Sequence, residues 1–385
     1  MNLNQFDEDI EEIKGKQLSR KSFSVEVTLT EGCNWNCEYC FEGVEKKTKK
    51  VHMLNKNPKP LLDFIDNMME SDWFKDRFDY LNIDFWGGEP TLNLKLMNLI
   101  LQKYKDEERV RFFIYTNGSK MEDLIPLILP LKDLDCKGKE KILVQVSYDG
   151  NPIHDLRRLD CNGKQTSRIV KSALSLLFKN DIPCQLKSTL MSKDFKYMSE
   201  CWDDIHTLRK QYGESMNYAP TIDYYTTSYN EEHYKDLERN LLDIAKKEIL
   251  NSKERNKFTL SWFSSPHKSV CGSGKSMFAV DINGNVHFCH GCIYGNQLCY
   301  ANIYQDEKLL DRLKRNYDML DFKVYNDECE RCEATVCLRC NYLKYKTSKK
   351  NKFTDKFYDL TAQPDLCRYY KLIGKISRAI DMIGG

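Results

Sequence analysis

The stretch EGCNWNCEYCFEG, residues 31–43, sets Cys33, Cys37 and Cys40 at C-x3-C-x2-C within one short loop. Structural zinc takes four tetrahedral ligands, and this stretch offers three thiols and no histidine. A distant cysteine could complete a zinc site. The alternative is a [4Fe–4S] cube held at three of its four irons, with the last iron open to a ligand. A cluster with an open iron can bind and activate a molecule.

The sequence around the loop alternates. SFSVEVTL (22–29), YLNIDFW (80–86), RVRFFIY (109–115), KILVQVSY (141–148) and PCQLKSTL (183–190) have strand character, and a weaker run lies near YAPTIDYY (218–225). Between them, PLLDFIDNMM, NLKLMNLILQKY and RIVKSALSLLF carry helical apolar spacing. Strands alternating with helices predict parallel βαβ units, here a partial (β/α)6 TIM-like barrel in the α/β class. The chemistry of such a barrel lies at the carboxyl ends of its strands. The cysteine loop follows the first strand, GGEP (87–90) the second and TNG (116–118) the third, while Ser147 and Asp149 end the fourth.

The remaining composition narrows the class. A chain of 385 residues with 41% hydrophobic residues supports one large domain and a smaller one. The net charge of +2 gives no general attraction to nucleic acid or membrane. The polar, acidic start MNLNQFDEDIEEIKGK lacks the apolar core of a signal peptide, and no apolar run approaches a membrane span, so the expected location is cytoplasmic. Sixteen cysteines in such a chain point to metal or redox chemistry rather than disulfides. Cys136, Cys161, Cys184 and Cys201 are scattered and are expected to be small buried hydrophobes. The others crowd the C-terminal third. There MFAVDINGNVHFC (277–289) predicts a hairpin with a tight type I′ turn at Asn283–Gly284. Residues 231–251 are expected to be helical, and CRYYKLIGKISRAIDMI predicts a closing helix with Leu372, Ile376, Ala379 and Ile383 on one face. The lysine-rich stretch 343–356 is expected to be a solvated loop.

The three-cysteine loop, with Tyr39 preceding Cys40, resembles the signature of radical S-adenosylmethionine enzymes, and GGEP and TNG sit where that family has them. The resemblance implies that the open iron chelates S-adenosylmethionine. An electron then cleaves the sulfonium, and the resulting 5′-deoxyadenosyl radical abstracts a hydrogen atom from substrate. Within it, Tyr39, Gly87, Gly88, Glu89, Asn117, Ser147, Asp149 and Arg158 are expected around S-adenosylmethionine. Gly87 and Gly88 allow close backbone approach, Glu89 offers an acceptor to the amino group, and Ser147 and Arg158 could hold the carboxylate and ribose. SYDGNPIHDLRR (147–158) resembles a segment of the peptide-modifying branch with one residue fewer before the histidine, which leaves Arg157 and Arg168 as alternatives to Arg158. His154 is either functional or a capping or buried structural residue.

Cys271, Gly284 and Cys289, then C-x2-C-x4-C-x2-C over 329–340 and the isolated Cys367, resemble the SPASM domain, with two gaps one residue shorter than its pattern. The whole chain thus resembles a radical core followed by a small cysteine-rich SPASM domain with a β-hairpin and a closing C-terminal helix. The corresponding boundaries are an extension 1–22, a core 23–225, a helical linker 226–270, an auxiliary domain 271–367 and a helix 368–385. The resemblance implies three [4Fe–4S] clusters. One auxiliary cluster would take Cys329, Cys332, Cys337 and Cys367. The other would take Cys271, Cys289 and Cys340, with Cys292, Cys299 or an open iron completing it. A zinc ribbon over 329–340 is the alternative there.

Such enzymes mostly modify peptides or proteins by oxidation, crosslinking or epimerisation, so the implied partners are a peptide or protein substrate and an electron donor such as flavodoxin or ferredoxin. Only about 22 residues precede the first strand, which suggests a separate leader-recognition protein, a leaderless substrate or a smaller molecule. Formylglycine-forming relatives carry an aspartate base where this chain has His290, so His290 is the candidate catalytic residue, or else a donor to cluster sulfur. The alternatives are sulfatase maturation, radical modification of a small molecule or nucleotide, and a non-catalytic zinc or iron–sulfur regulatory protein.

Overall fold

The computed structural model describes residues 22–40, 42, 57–136, 138–213, 216–223, 228–264, 272–293, 299–306, 308–319, 332, 334, 337 and 364–384. Six parallel strands stand side by side in chain order: β1 (Ser22–Thr30), β3 (Tyr80–Gly87), β4 (Val110–Thr116), β5 (Ile142–Ser147), β7 (Cys184–Leu190) and β8 (Tyr218–Ile222). They are the six runs expected from the sequence and form the partial barrel. Two short strands, β2 (Trp35–Cys37) and β6 (Arg158–Asp160), pair with each other outside this sheet.

Strand alternation separates two environments. On β1, Phe23, Val25, Val27 and Leu29 are fully buried and join the hydrophobic core, while Ser24, Glu26 and Thr28 alternate onto the inner face. The outer face is covered by helices that include α1 (Lys59–Glu70), α2 (Leu94–Tyr104), α3 (Met121–Ile128), α5 (Ser167–Lys179) and α6 (Met198–Tyr212), with α4 (Asn151–Arg157) joining β5 to β6. Asn93 caps α2 by accepting the Leu96 N–H, which stops the preceding turn where the apolar stripe begins.

The cysteine-rich hairpin joins the same sheet. β9 (Met277–Val280) pairs in parallel with the free edge of β1, and β10 (Asn285–His287) and β11 (Cys299–Asn302) continue it antiparallel. The hairpin turn departs from the type I′ expectation, because Asn283 has no positive φ and only Gly284 does (+80°). Asp281 accepts the N–H groups of Asn283 and Asn285, drawing four residues into the turn instead of two.

The helix expected over 231–251 is α7 (Glu231–Asn251), and the closing helix is α9 (Pro364–Gly384), after α8 (Leu309–Met319). On α9 the buried residues are Tyr369, Tyr370, Ile373, Ile376 and Ile380, whereas Leu372 is half-buried and Ala379 exposed. Tyr369 stacks on Phe195 and meets Trp262 edge-on, and these aromatic contacts rotate the helix away from the face expected from aliphatic spacing. Cys136, Cys184 and Cys201 are buried as expected, but Cys161 is exposed, because it lies in the turn after β6 rather than on a packed element. The lysine-rich stretch 343–356 and residues 1–21 lie outside the described residues. Among the described residues no helix is long and apolar enough to cross a membrane.

Phe278 on β9 is fully buried between Phe23 and Phe64, each at 5.7 Å between ring centroids. Phe278→Ala should therefore cost about 3–5 kcal/mol. A urea titration should show it as a lower midpoint for the whole protein, not as separate loss of the hairpin.

Candidate active site

The cysteine loop begins where β1 and β3 end, and the two ends pass very close. Gly88 N–H donates to the Thr30 carbonyl at 3.0 Å and Glu89 N–H to the Gly32 carbonyl at 2.9 Å. A Cβ on Gly88 would lie 2.3 Å from the Gly32 oxygen, and one on Gly87, at φ +142°, would lie 2.2 Å from the Thr30 oxygen. The close approach that requires both glycines is thus between chain segments.

Glu89 is buried, and its carboxylate binds three elements together. Oε1 accepts from Thr91 N–H (3.1 Å), Thr91 Oγ1 (2.6 Å) and Thr116 Oγ1 (2.8 Å), and Oε2 accepts from Asn117 N–H (2.7 Å). Burial raises its pKa, and these bonds oppose that rise. Asn117 donates from Nδ2 to Asn34 at 2.9 Å and toward Cys33 Sγ at 3.9 Å, so the TNG turn reaches the first cysteine.

Asp149 forms a second node. It accepts from Arg158 Nε (2.8 Å) and Nη2 (3.0 Å), from Thr189 N–H (2.9 Å) and from the Tyr39 hydroxyl. Burial works against its charge, but the Arg158 guanidinium prevails and holds the carboxyl below the usual carboxylate range. Arg158 also lies over the Tyr39 ring and pairs through its backbone with Cys37. Arg157 points elsewhere, to Asp194 and Glu38, and Arg168 is exposed on α5. His154 is buried, with Nδ1 accepting the Asp149 N–H and Nε2 bonded to Thr166 Oγ1. Burial lowers its pKa to about 4, so it is a neutral structural histidine.

The thiols fit a cluster. Burial and then Glu89 raise the Cys33 pKa well above its usual value, and burial raises that of Cys37, so ionisation requires a positive metal centre. Trp35 N–H donates to Cys33 Sγ at 3.4 Å. Among the described residues no three His, Cys, Asp or Glu side chains gather tightly enough to hold a single metal ion.

In the C-terminal region, Cys289 and Cys292 are buried with their sulfurs 3.6 Å apart, and Cys299 is exposed on β11. Cys332, Cys337 and Cys367 are each partly buried. Cys271, Cys329 and Cys340 lie outside the described residues. His290 enters the barrel wall: its N–H and Nδ1 each lie 2.7 Å from the Glu26 carboxylate, and its ring stacks on Trp86 at 4.0 Å. Burial alone would lower its pKa, but Glu26 raises it to about 9. Glu42, just past Cys40, adds to the field at both Cys33 and His290.

Four inner-wall residues escaped the sequence reading: Glu26, Asp84, Trp86 and Lys187. Each stands at an alternate position of a strand whose other positions are mostly apolar, and that alternation was the available signal. Glu26 and Asp84 are register partners, and both are buried. Burial, then Glu26, raises the Asp84 pKa well above the carboxylate range. Lys187 stands beside Ser147 in register, and burial lowers its pKa to about 8.

Because the folded pKa of Lys187 lies below its unfolded value, its charge destabilises the fold fully below about pH 8, and the penalty fades as pH rises toward the unfolded value of about 10.4. Lys187→Met should raise the melting temperature at pH 7, with a gain that shrinks on approach to pH 10. Thermal melts across that range check the sign.

Residues 27–195 match the Radical SAM superfamily. The chain is 25% identical over 356 residues to the cysteine-type anaerobic sulfatase-maturating enzyme of Clostridium perfringens, covering 80% of this chain and 86% of that one. It is 25% identical over 346 residues to the radical SAM cyclopropyl synthase TigE of Paramaledivibacter caminithermalis, covering 84% and 69%. Native anSMEcpe with bound AdoMet and Kp18Cys peptide has the same fold, with a TM-score of 0.67 at 19% identity over 94% of this chain and 99% of that one. The matched span contains the three-cysteine loop and the strand ends built around Glu89 and Asp149, so residues 27–195 form a radical SAM domain, and that family implies a [4Fe–4S] cluster and S-adenosylmethionine.

Proposed function

We propose that this enzyme abstracts a hydrogen atom from a peptide or protein side chain and so installs an oxidation, a crosslink or an epimerised residue. When bound, the cluster and S-adenosylmethionine supply a 5′-deoxyadenosyl radical. Cys33, Cys37 and Cys40 hold the cluster. Tyr39, Gly87, Gly88, Glu89, Asn117, Ser147, Asp149 and Arg158 form the S-adenosylmethionine side. Glu89 Oε2, with one hydrogen bond, retains acceptor capacity for an amino group.

The observation that carries the reading is the double contact of Glu26 with His290. It brings a residue of the second cysteine region to the inner barrel wall, beside which a substrate side chain would lie. His290 is the protein group assigned to proton handling there, held by Glu26 and stacked on Trp86. Auxiliary clusters on Cys271, Cys289, Cys292 and Cys340, and on Cys329, Cys332, Cys337 and Cys367, would accept the substrate electron in an oxidation. The short Cys289–Cys292 separation supports their placement in one ligand set. The domain division follows the same reading: core 23–225, linker 226–270, auxiliary domain 271–367 and closing helix 368–385. An electron donor such as flavodoxin or ferredoxin, a leader-recognition partner and a cytoplasmic site of action complete it.

Sulfatase maturation is the second reading. Its support is the similarity to the Clostridium perfringens enzyme, and the His290 position counts against it.

Anaerobic reconstitution should yield about twelve irons per chain and dithionite-dependent 5′-deoxyadenosine. The Cys33→Ala, Cys37→Ala, Cys40→Ala triple variant should retain about eight irons and lose cleavage. Zinc in place of iron would overturn the reading. A C-x-P-x-R peptide should emerge without formylglycine while 5′-deoxyadenosine forms; formylglycine product would establish the maturase reading instead.

A further inference from the structure

We propose that Lys187, with the hydroxyls of Ser147 and Thr189, forms a binding seat for a carboxylate inside the barrel. This deepens the reading of the barrel mouth as the place where S-adenosylmethionine and substrate meet, and it rests on that reading.

Strand register sets the seat. Ser147 on β5 is the partner of Lys187 on β7, and Thr189 on β7 is the partner of Thr221 on β8. Leu186, Ser188 and Leu190 are buried on the opposite face, so alternation turns Lys187 and Thr189 to the inner side. All three seat residues are partly exposed there. Beside them, Thr221 Oγ1 is buried without a partner among the described residues.

Charge selects the ligand. Glu26 is matched by His290 and Asp149 by Arg158, but among the described residues the Lys187 ammonium makes no ion pair or hydrogen bond. Among the described residues burial is the only influence on its pKa, and no carboxylate among them acts on it. The Ser147 and Thr189 side chains are equally unengaged among the described residues. One ammonium and two hydroxyls suit a single negative charge with two acceptor oxygens. A neutral carbonyl would leave the ammonium uncompensated. The arginine anticipated for this task, Arg158, is committed to Asp149 through two N–H groups.

The carboxylate has two possible sources: S-adenosylmethionine itself, or an acidic side chain or C-terminus of the substrate. Competitive acetylation of the anaerobically reconstituted full chain, read at Lys187 by peptide mass spectrometry, separates them. If S-adenosylmethionine protects Lys187 about 10-fold or more and 5′-methylthioadenosine, which lacks the carboxylate, does not, the source is the cofactor. If S-adenosylmethionine fails but glutarate protects and glutaramide does not, the source is the substrate. Protection by 5′-methylthioadenosine or glutaramide equal to that of its acidic counterpart means simple shielding and overturns the proposal, as does protection by none of the four.

Equilibrium dialysis supplies the second readout. Lys187→Met should weaken the protecting carboxylate about 10- to 100-fold, with Lys187→Arg recovering most of it. Unchanged affinity in Lys187→Met would also overturn the assignment. Labelling does not require turnover, so a chain that binds carboxylate but forms no 5′-deoxyadenosine would separate failure of the functional reading from failure of this one.

Discussion

One buried carboxylate, Asp149, holds the catalytic end of the barrel together. It stands just past the end of β5 and takes hydrogen bonds from the cysteine loop through Tyr39, from β6 through Arg158 and from β7 through Thr189. Burial would neutralise it, and chiefly the guanidinium opposite keeps it charged. Removing either partner would leave an unpaired charge where water cannot compensate, at a cost of about 3–5 kcal/mol. The pairing of β2 with β6 follows from this pair, since Cys37 and Arg158 are backbone partners. The cysteine loop is therefore tied to the barrel by protein contacts of its own, through Tyr39 and the backbone of Cys37.

Glu89 performs the same service at the neighbouring strand end, with a different balance. It has no cationic partner and relies on four neutral donors, so its pKa rises where that of Asp149 falls. The two nodes divide the mouth. Around Asp149 the polar groups are satisfied among themselves, while Glu89 Oε2, Ser147 and Lys187 retain hydrogen-bonding capacity. On the other side, the parallel addition of β9 to β1 brings Cys289 and His290 to the wall that carries Glu26 and Trp86. One continuous sheet thus carries both cysteine-bearing regions.

Much of this was legible in the chain. The six core strands, the polar residues after their carboxyl ends, the hairpin and the helix over 231–251 follow from local periodicity and turn chemistry, which depend on neighbours in sequence. The misreadings share a cause. The hairpin turn changed type because a side chain, Asp281, competed for backbone N–H groups. The closing helix rotated because Tyr369 found Phe195 and Trp262, residues far away in sequence. Cys161 is exposed because a turn, not a packed element, carries it.

The sequence by itself determined the strand and helix pattern, the three-cysteine loop and the residue types at each strand end, because spacing and side-chain chemistry are local properties. Tertiary structure decided which of those groups are already engaged. Arg158 is taken by Asp149, His154 is neutral and structural, His290 is held by a glutamate 264 positions away, and Lys187 stands beside Ser147 with no ion-pair partner among the described residues. Pairing, burial and the pKa shifts that follow depend on which strands lie side by side, and that is a property of the assembled sheet.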